Sequence, residues 1–108
     1  MSRCLHHNSL GCVAQCAGSC CLHLYFGNVG LCLRTAELAE WCATVAGLYK
    51  THLHRLPDPQ ARTISLLGPT AGVVFLFSLE ELAQLQDLLV SAALLLEVNE
   101  LLKRPITE

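Results

Sequence analysis

The apolar positions of the chain first fall into a regular pattern over residues 21–34. Leu22, Leu24 and Phe26 interleave with His23 and Tyr25, and Val29, Leu31 and Leu33 interleave with Gly30, Cys32 and Arg34. Alternation of this kind predicts two half-buried strands. Gly27-Asn28 between them suits a two-residue hairpin turn, with Gly accepting positive φ at the first central position. Such a loop sets Phe26 opposite Val29. It collects Leu22, Leu24, Phe26, Val29, Leu31 and Leu33 on one face, and Cys21, His23, Tyr25, Cys32 and Arg34 on the other.

At Thr35 the period changes to that of a helix. Leu38, Trp41, Cys42, Val45, Leu48 and Tyr49 share one stripe, with Glu37, Glu40, Thr44 and Lys50 elsewhere, which predicts a helix over 35–50 with Thr35 as N-cap. Residues 51–62 read as a connection, because Pro57-Asp58-Pro59 forbids regular helix. Residues 63–77 read as a second hairpin turning at 68–72. Its second strand, V-V-F-L-F, is apolar without alternation, which predicts a central strand buried on both faces. Ser78 and Glu81 form a capping box that opens a helix running to about Lys103, ahead of Pro105. Along that helix a stripe that is polar at Glu80, Gln84, Asp87 and Ser91 turns apolar at Leu94, Leu95 and Val98. Its second half is therefore expected to be buried almost all round. Residues 1–20 follow neither period and read as an irregular arm with one short strand near residues 11–14.

These elements define an α+β fold of one domain over residues 1–108: a metal-binding arm (1–20), a hairpin–helix unit (21–50), a loop (51–62) and a second hairpin–helix unit (63–104). The expected architecture is a mainly antiparallel sheet with helices on one face. The two units form a weak internal repeat with too little identity to indicate duplication.

Composition narrows the function. Hydrophobic residues make up 53% of the 108 residues and charged ones 15%, which excludes a disordered chain and suggests that some apolar surface is hidden in an oligomer. The net charge of −2 offers no attraction to nucleic acid or anionic membrane, and residues 1–49 contain only Arg3 and Arg34 as cations. The longest apolar run, residues 88–96, falls short of the roughly 20 residues a spanning helix needs. With no secretory h-region visible, the expected compartment is a reducing cytoplasm.

The chemistry concentrates at the N-terminus. Residues 4–26 hold five of the seven cysteines and three of the five histidines, and no Asp or Glu precedes Glu37. Thiolates and imidazoles in close pairs are how a small structural zinc site looks in sequence. Cys4 and His7 make one pair, C-x2-H, and Cys16 and Cys20 the other, C-x3-C, so the expected ligands of a structural Zn²⁺ are Cys4, His7, Cys16 and Cys20. His6, Cys12 and Cys21 stand as alternatives to His7, Cys16 and Cys20. Against metal binding, cysteines also serve as small buried hydrophobes, which is the expected role of Cys32 and Cys42. A thiol-redox site wants C-x-x-C at a helix start, and a hydrolytic zinc wants a nearby carboxylate; the arm supplies neither. The chain has no P-loop, no G-x-G-x-x-G, no G-x-S-x-G and no H-E-x-x-H.

Four motifs, C-x-H-H, G-C-V-x-x-C, L-H-L-Y-F-G-N-V-x-L-x-L and G-V-V-F-L-F-S-L-E-E-L-x-x-L-x-D-L-L, together resemble a family of small uncharacterised bacterial proteins, mostly from Bacteroidetes. The resemblance covers nearly the whole chain. In that family the pair before the hairpin is C-x-x-C; the matching position here is Ser19, with Cys20 beside it, so the fourth ligand departs from the family pattern. The resemblance implies no activity. The reading that follows is a non-enzymatic zinc-binding interaction or regulatory module, dimeric through the C-terminal helix, with no nucleic acid and no membrane. The alternative is a small thiol-redox or metal-dependent enzyme using the cysteine cluster.

Overall fold

A computed structural model describes residues 2–16, 21–54, 58, 60–68 and 71–103. Its elements in chain order are β1 (Ser2–His7), β2 (Gly11–Cys16), β3 (Cys21–Phe26), β4 (Val29–Arg34), α1 (Thr35–His52), β5 (Ile64–Leu67), β6 (Val74–Phe77) and α2 (Leu79–Lys103). The fold is α+β and antiparallel. The strands divide between two sheets, a four-stranded β1-β2-β3-β4 and a two-stranded β5-β6.

The β3–β4 hairpin has the expected register, with Phe26 opposite Val29, Leu24 opposite Leu31 and Leu22 opposite Leu33. Gly27 takes φ of 59° in the turn. The arm, in contrast, is not irregular: β1 and β2 pair as a hairpin, and β2 pairs with β3 along Gly11–Phe26, Val13–Leu24 and Gln15–Leu22. The short strand expected near residues 11–14 is the core of β2, whereas β1 was hidden by a β-bulge. Cys4 pairs with Ala14 but His6 pairs with Val13, so Leu5 is an extra residue in β1 and breaks the period of two.

The second helix starts as expected. The Ser78 hydroxyl accepts from Glu81 N–H at 3.1 Å, and the Glu81 carboxylate accepts from Ser78 N–H at 3.0 Å. At α1 the cap lies one residue earlier than expected: Arg34 N–H donates to the Glu37 carboxylate at 2.9 Å, and Thr35 is already helical.

One core joins all elements. Leu5, Val13, Leu22, Leu24, Phe26 and Leu33 of the larger sheet meet Leu38, Trp41 and Val45 of α1 and the Leu82, Leu85, Leu88, Leu89 and Ala92 stripe of α2. The smaller sheet adds Ile64, Leu66 and Phe77, and Phe26 bridges the sheets with its ring centroid 5.5 Å from that of Phe75 and 5.5 Å from that of Phe77. The apolar run in β6 is thus not a strand covered on both faces. Phe77 is buried, Phe75 half-buried, and Val74 and Leu76 face solvent.

Gly11 lies where β2 approaches β3, and a Cβ there would overlap the Tyr25 carbonyl oxygen. Gly47, on the exposed side of α1, has open space around it. Gly11→Ala should therefore destabilise the protein by about 1–3 kcal/mol, whereas Gly47→Ala should stabilise it by roughly 0.5–1 kcal/mol by restricting the unfolded chain and favouring helix. Urea melts of the two variants check both signs; equal shifts would contradict the β2–β3 approach.

Candidate functional site

The bulge at Leu5 decides where the N-terminal side chains go. In an unbroken strand Cys4 and His7 would fall on opposite faces. With one residue inserted, Cys4 pairs with Ala14 and His7 with Cys12, both on the face turned away from the helices, while Leu5 enters the core. The register continues that outer face across the sheet. One row runs Cys4, Ala14, His23, Cys32, and the next runs His7, Cys12, Tyr25, Gly30. Cys4, His7, Tyr25 and Cys32 are exposed, and Cys12 and His23 half-buried. The His23 and Tyr25 rings stack along β3 at 6.1 Å, 12° from parallel. The outer sheet face is thus a surface of thiols and imidazoles.

Of the expected zinc ligands, Cys4 and His7 share this face. Cys16 ends β2 opposite Ser2, which sets its backbone at the Cys4 end of the hairpin, and Cys20 lies outside the described residues. His7 is at the other end, opposite Cys12. It is four residues along β2 from the Cys16 level, about 13 Å at the rise of a strand. Among the described residues, no group of three or more His, Cys, Asp or Glu could hold a metal ion. Of the alternatives, His6 faces the helices, whereas Cys12 and Cys21 remain half-buried on their strands. Cys32, expected to be buried, is exposed on the outer face in register with His23. Cys42 is half-buried in α1, and burial raises its thiol pKa.

The other side of the arm carries a polar latch that sequence reasoning missed. His6 Nε2 lies 2.8 Å from the Asp87 carboxylate. Asn8 Nδ2 donates to the same carboxylate at 3.0 Å and to the Gln84 carbonyl at 2.8 Å. The Ser9 hydroxyl donates to Gln84 Oε1 at 2.8 Å, and Asn8 Oδ1 accepts from Leu10 N–H at 2.9 Å within the β1–β2 turn. The polar residues Gln84 and Asp87, which the pattern assigned to water, therefore fasten α2 to the first hairpin.

A third surface lies on α2. Ala92 is the last fully buried residue among the described side chains, with Ala93 and Leu96 partly buried against the core. On the other face Leu94, Leu95 and Val98 are 60%, 37% and 42% exposed, and Val90 one turn earlier is 49% exposed. The half of α2 expected to be covered all round is, within one chain, open along this face. Among the described residues no helix is long and apolar enough to cross a membrane. The chain matches no known protein family, no curated protein and no solved structure.

The Asn8 amide and then the His6 ring hold the Asp87 carboxyl below the usual carboxylate range. A depressed folded-state pKa means that the latch contributes its full stability above the ordinary Asp value near about 3.9, and that this is lost as pH falls through the lower folded value. Asp87 is half exposed, so the contribution is about 1 kcal/mol or less. Asp87→Asn should flatten the acid limb of the stability–pH curve below the ordinary Asp value. Chemical denaturation at stepped pH measures this, and an unchanged limb would remove Asp87 from the latch.

Proposed function

We propose that this protein is a small non-enzymatic interaction module that pairs with a second copy of itself through α2, with a structural zinc at the Cys4 end of its N-terminal hairpin. The observation that carries the pairing is the apolar stripe of Val90, Leu94, Leu95 and Val98, left in water on a single chain. These residues repeat at three- and four-residue spacing and so share one helix face. Each such side chain gains roughly 1.5–3 kcal/mol when fully buried, and a contiguous stripe left open is an aggregation hazard. A two-fold axis across α2 covers both copies with the same residues. The thiol-rich composition suits a reducing cytoplasm, and the four sequence motifs suggest a place among small bacterial proteins.

The zinc reading is supported by the ligand spacing and by the placement of Cys4 and the Cys16 backbone on paired strands. Cys4, Cys16 and Cys20 supply the thiolates; His7 lies at the opposite end of the hairpin from the Cys16 backbone. A second reading, thiol redox chemistry, is favoured by the exposure of the Cys4 and Cys32 side chains.

At tens of micromolar, light scattering coupled to size exclusion should give the mass of two chains, and Leu94→Glu should halve it while leaving the melting curve of a folded monomer. A wild-type monomer would refute the pairing. Elemental analysis after mild purification should find about one zinc per chain, lowered together with stability by Cys16→Ser. Retention of zinc in His7→Ala would assign the site to the cysteines; folded, metal-free protein with reactive thiols would favour the redox reading instead.

A further inference from the structure

β5 has β6 as its only strand partner among the described residues. Beside it lies a cleft of about 470 Å³, walled on one side by residues 65–68 and on the other by Glu37, Glu40, Trp41, Thr44 and Leu48 of α1. A strand presents alternate residues to either face, so a wall of successive residues is its backbone edge. No residue of β6 lines the cleft, which identifies the edge as the one turned away from β6. Along such an edge every second residue has its N–H and C=O unpaired.

Of the two borders of the larger sheet, β1 is bulged, which spoils it as a template for further pairing, whereas β4 keeps an unbroken register with β3. β5 reads I-S-L-L, with no Lys and no Pro, and its register with β6 is unbroken from Ile64–Phe77 to Leu67–Val74. It is a short edge of unbroken register running beside a helix. The cleft walls also carry a charge. Among the described residues, Glu37 and Glu40 are its only ionisable lining residues. The Glu37 carboxylate caps α1 through Arg34 N–H, while Glu40 is exposed, and among the described residues nothing pairs with its carboxylate. Trp41 and half-buried Leu48 provide an apolar floor.

We propose that this cleft binds an extended segment of a partner protein in which apolar residues alternate with Lys or Arg, added to β5 as a third strand and paired with Glu40 through a basic side chain. Main-chain hydrogen bonds to the open edge give the affinity, and the acidic helix wall selects the charge. A second copy of this chain is a poorer occupant. Pairing β5 with its own copy about a two-fold axis would gather Glu37 and Glu40 of both chains at one junction. No α2 residue is among the described lining of the cleft, so this inference refines the interaction-module reading without depending on the pairing through α2.

The test uses the full chain and a fluorescein-labelled Val-Lys repeat peptide, read by fluorescence anisotropy, with a Val-Glu repeat and an N-methylated Val-Lys repeat as controls. The Val-Lys peptide should bind saturably, more weakly at high salt, and should slow hydrogen exchange at amides of residues 65–67. N-methylation, which removes the strand's donors, should abolish binding. Glu40→Lys, at an exposed helix position, should weaken Val-Lys binding by about tenfold or more and shift the preference to Val-Glu. No saturable binding, equal binding of the N-methylated peptide, or protection confined to other elements would each overturn the proposal. So would a wild-type dimer that dissociates as peptide is added, since that would show a second copy in the cleft. Loss of pairing in Leu94→Glu with peptide binding retained would leave this inference standing while the two-fold pairing through α2 was tested separately.

Discussion

The two sheets share no strand, so no ladder of hydrogen bonds joins them. What joins them is burial against α2 and a small group of aromatic rings. Leu82, Leu85, Leu88, Leu89 and Ala92 are all fully buried, and they meet side chains from β1, β2, β3, β5 and β6 in one cluster. Phe75 extends the junction toward α1, its ring centroid 6.3 Å from that of Trp41. Removing one of these leucines would open a cavity between sheets that no strand pairing joins, so Leu85→Ala belongs at the costly end of the roughly 2–5 kcal/mol range for such changes. Everything on the surface, including the latch and the cleft, is positioned by that contact.

The same helix also explains the open apolar stripe. α2 has 25 residues, about 37 Å at helical rise, whereas strands of six residues span about 20 Å. A helix of that length cannot be covered along its whole extent by one such sheet. The radius of gyration, 15.1 Å, exceeds the value of about 13 Å typical of a domain this size, as an overhanging helix requires. Side-chain pattern and geometry thus agree on where cover is missing: past Ala92, on the face of Leu94 and Val98.

How much could be read in advance follows from which signals were redundant. The β3–β4 hairpin was legible because alternation, turn residues and register all agreed over Leu22 to Leu33. The start of α2 was legible because Ser78 and Glu81 have one local role. β2 was legible only as a short strand, and β1 was not, since the bulge breaks its period and His6 faces α2 as a polar group with a specific partner, Asp87. Distant pairing of that kind leaves no local trace. The run at residues 73–77 misled for a different reason: an apolar stretch carries no information about which face is covered, and here Val74 and Leu76 are not. Cys32 was legible in position but not in burial, because its alternation with Leu31 and Leu33 names a face without saying whether anything lies upon it.

Stability is unevenly shared among the strands. β3 and β4 bury Leu22, Leu24, Phe26 and Leu33. β1 is an edge strand whose buried apolar side chain among those described is Leu5, interrupted by a bulge and fastened to α2 by exposed polar contacts. Such contacts are individually worth about 1 kcal/mol or less, so the N-terminal hairpin should open at lower free energy than the rest of the sheet. A ligand that joins β1 to the end of β2 binds only the closed hairpin and stabilises it by mass action, by about 4 kcal/mol at a thousand times its dissociation constant. Cys4 and Cys16 stand on those two strands at the same end. A metal held there would therefore reinforce a bulged edge strand whose described buried apolar side chain is Leu5, which gives the cysteines of the arm a physical role apart from any chemistry on the outer face.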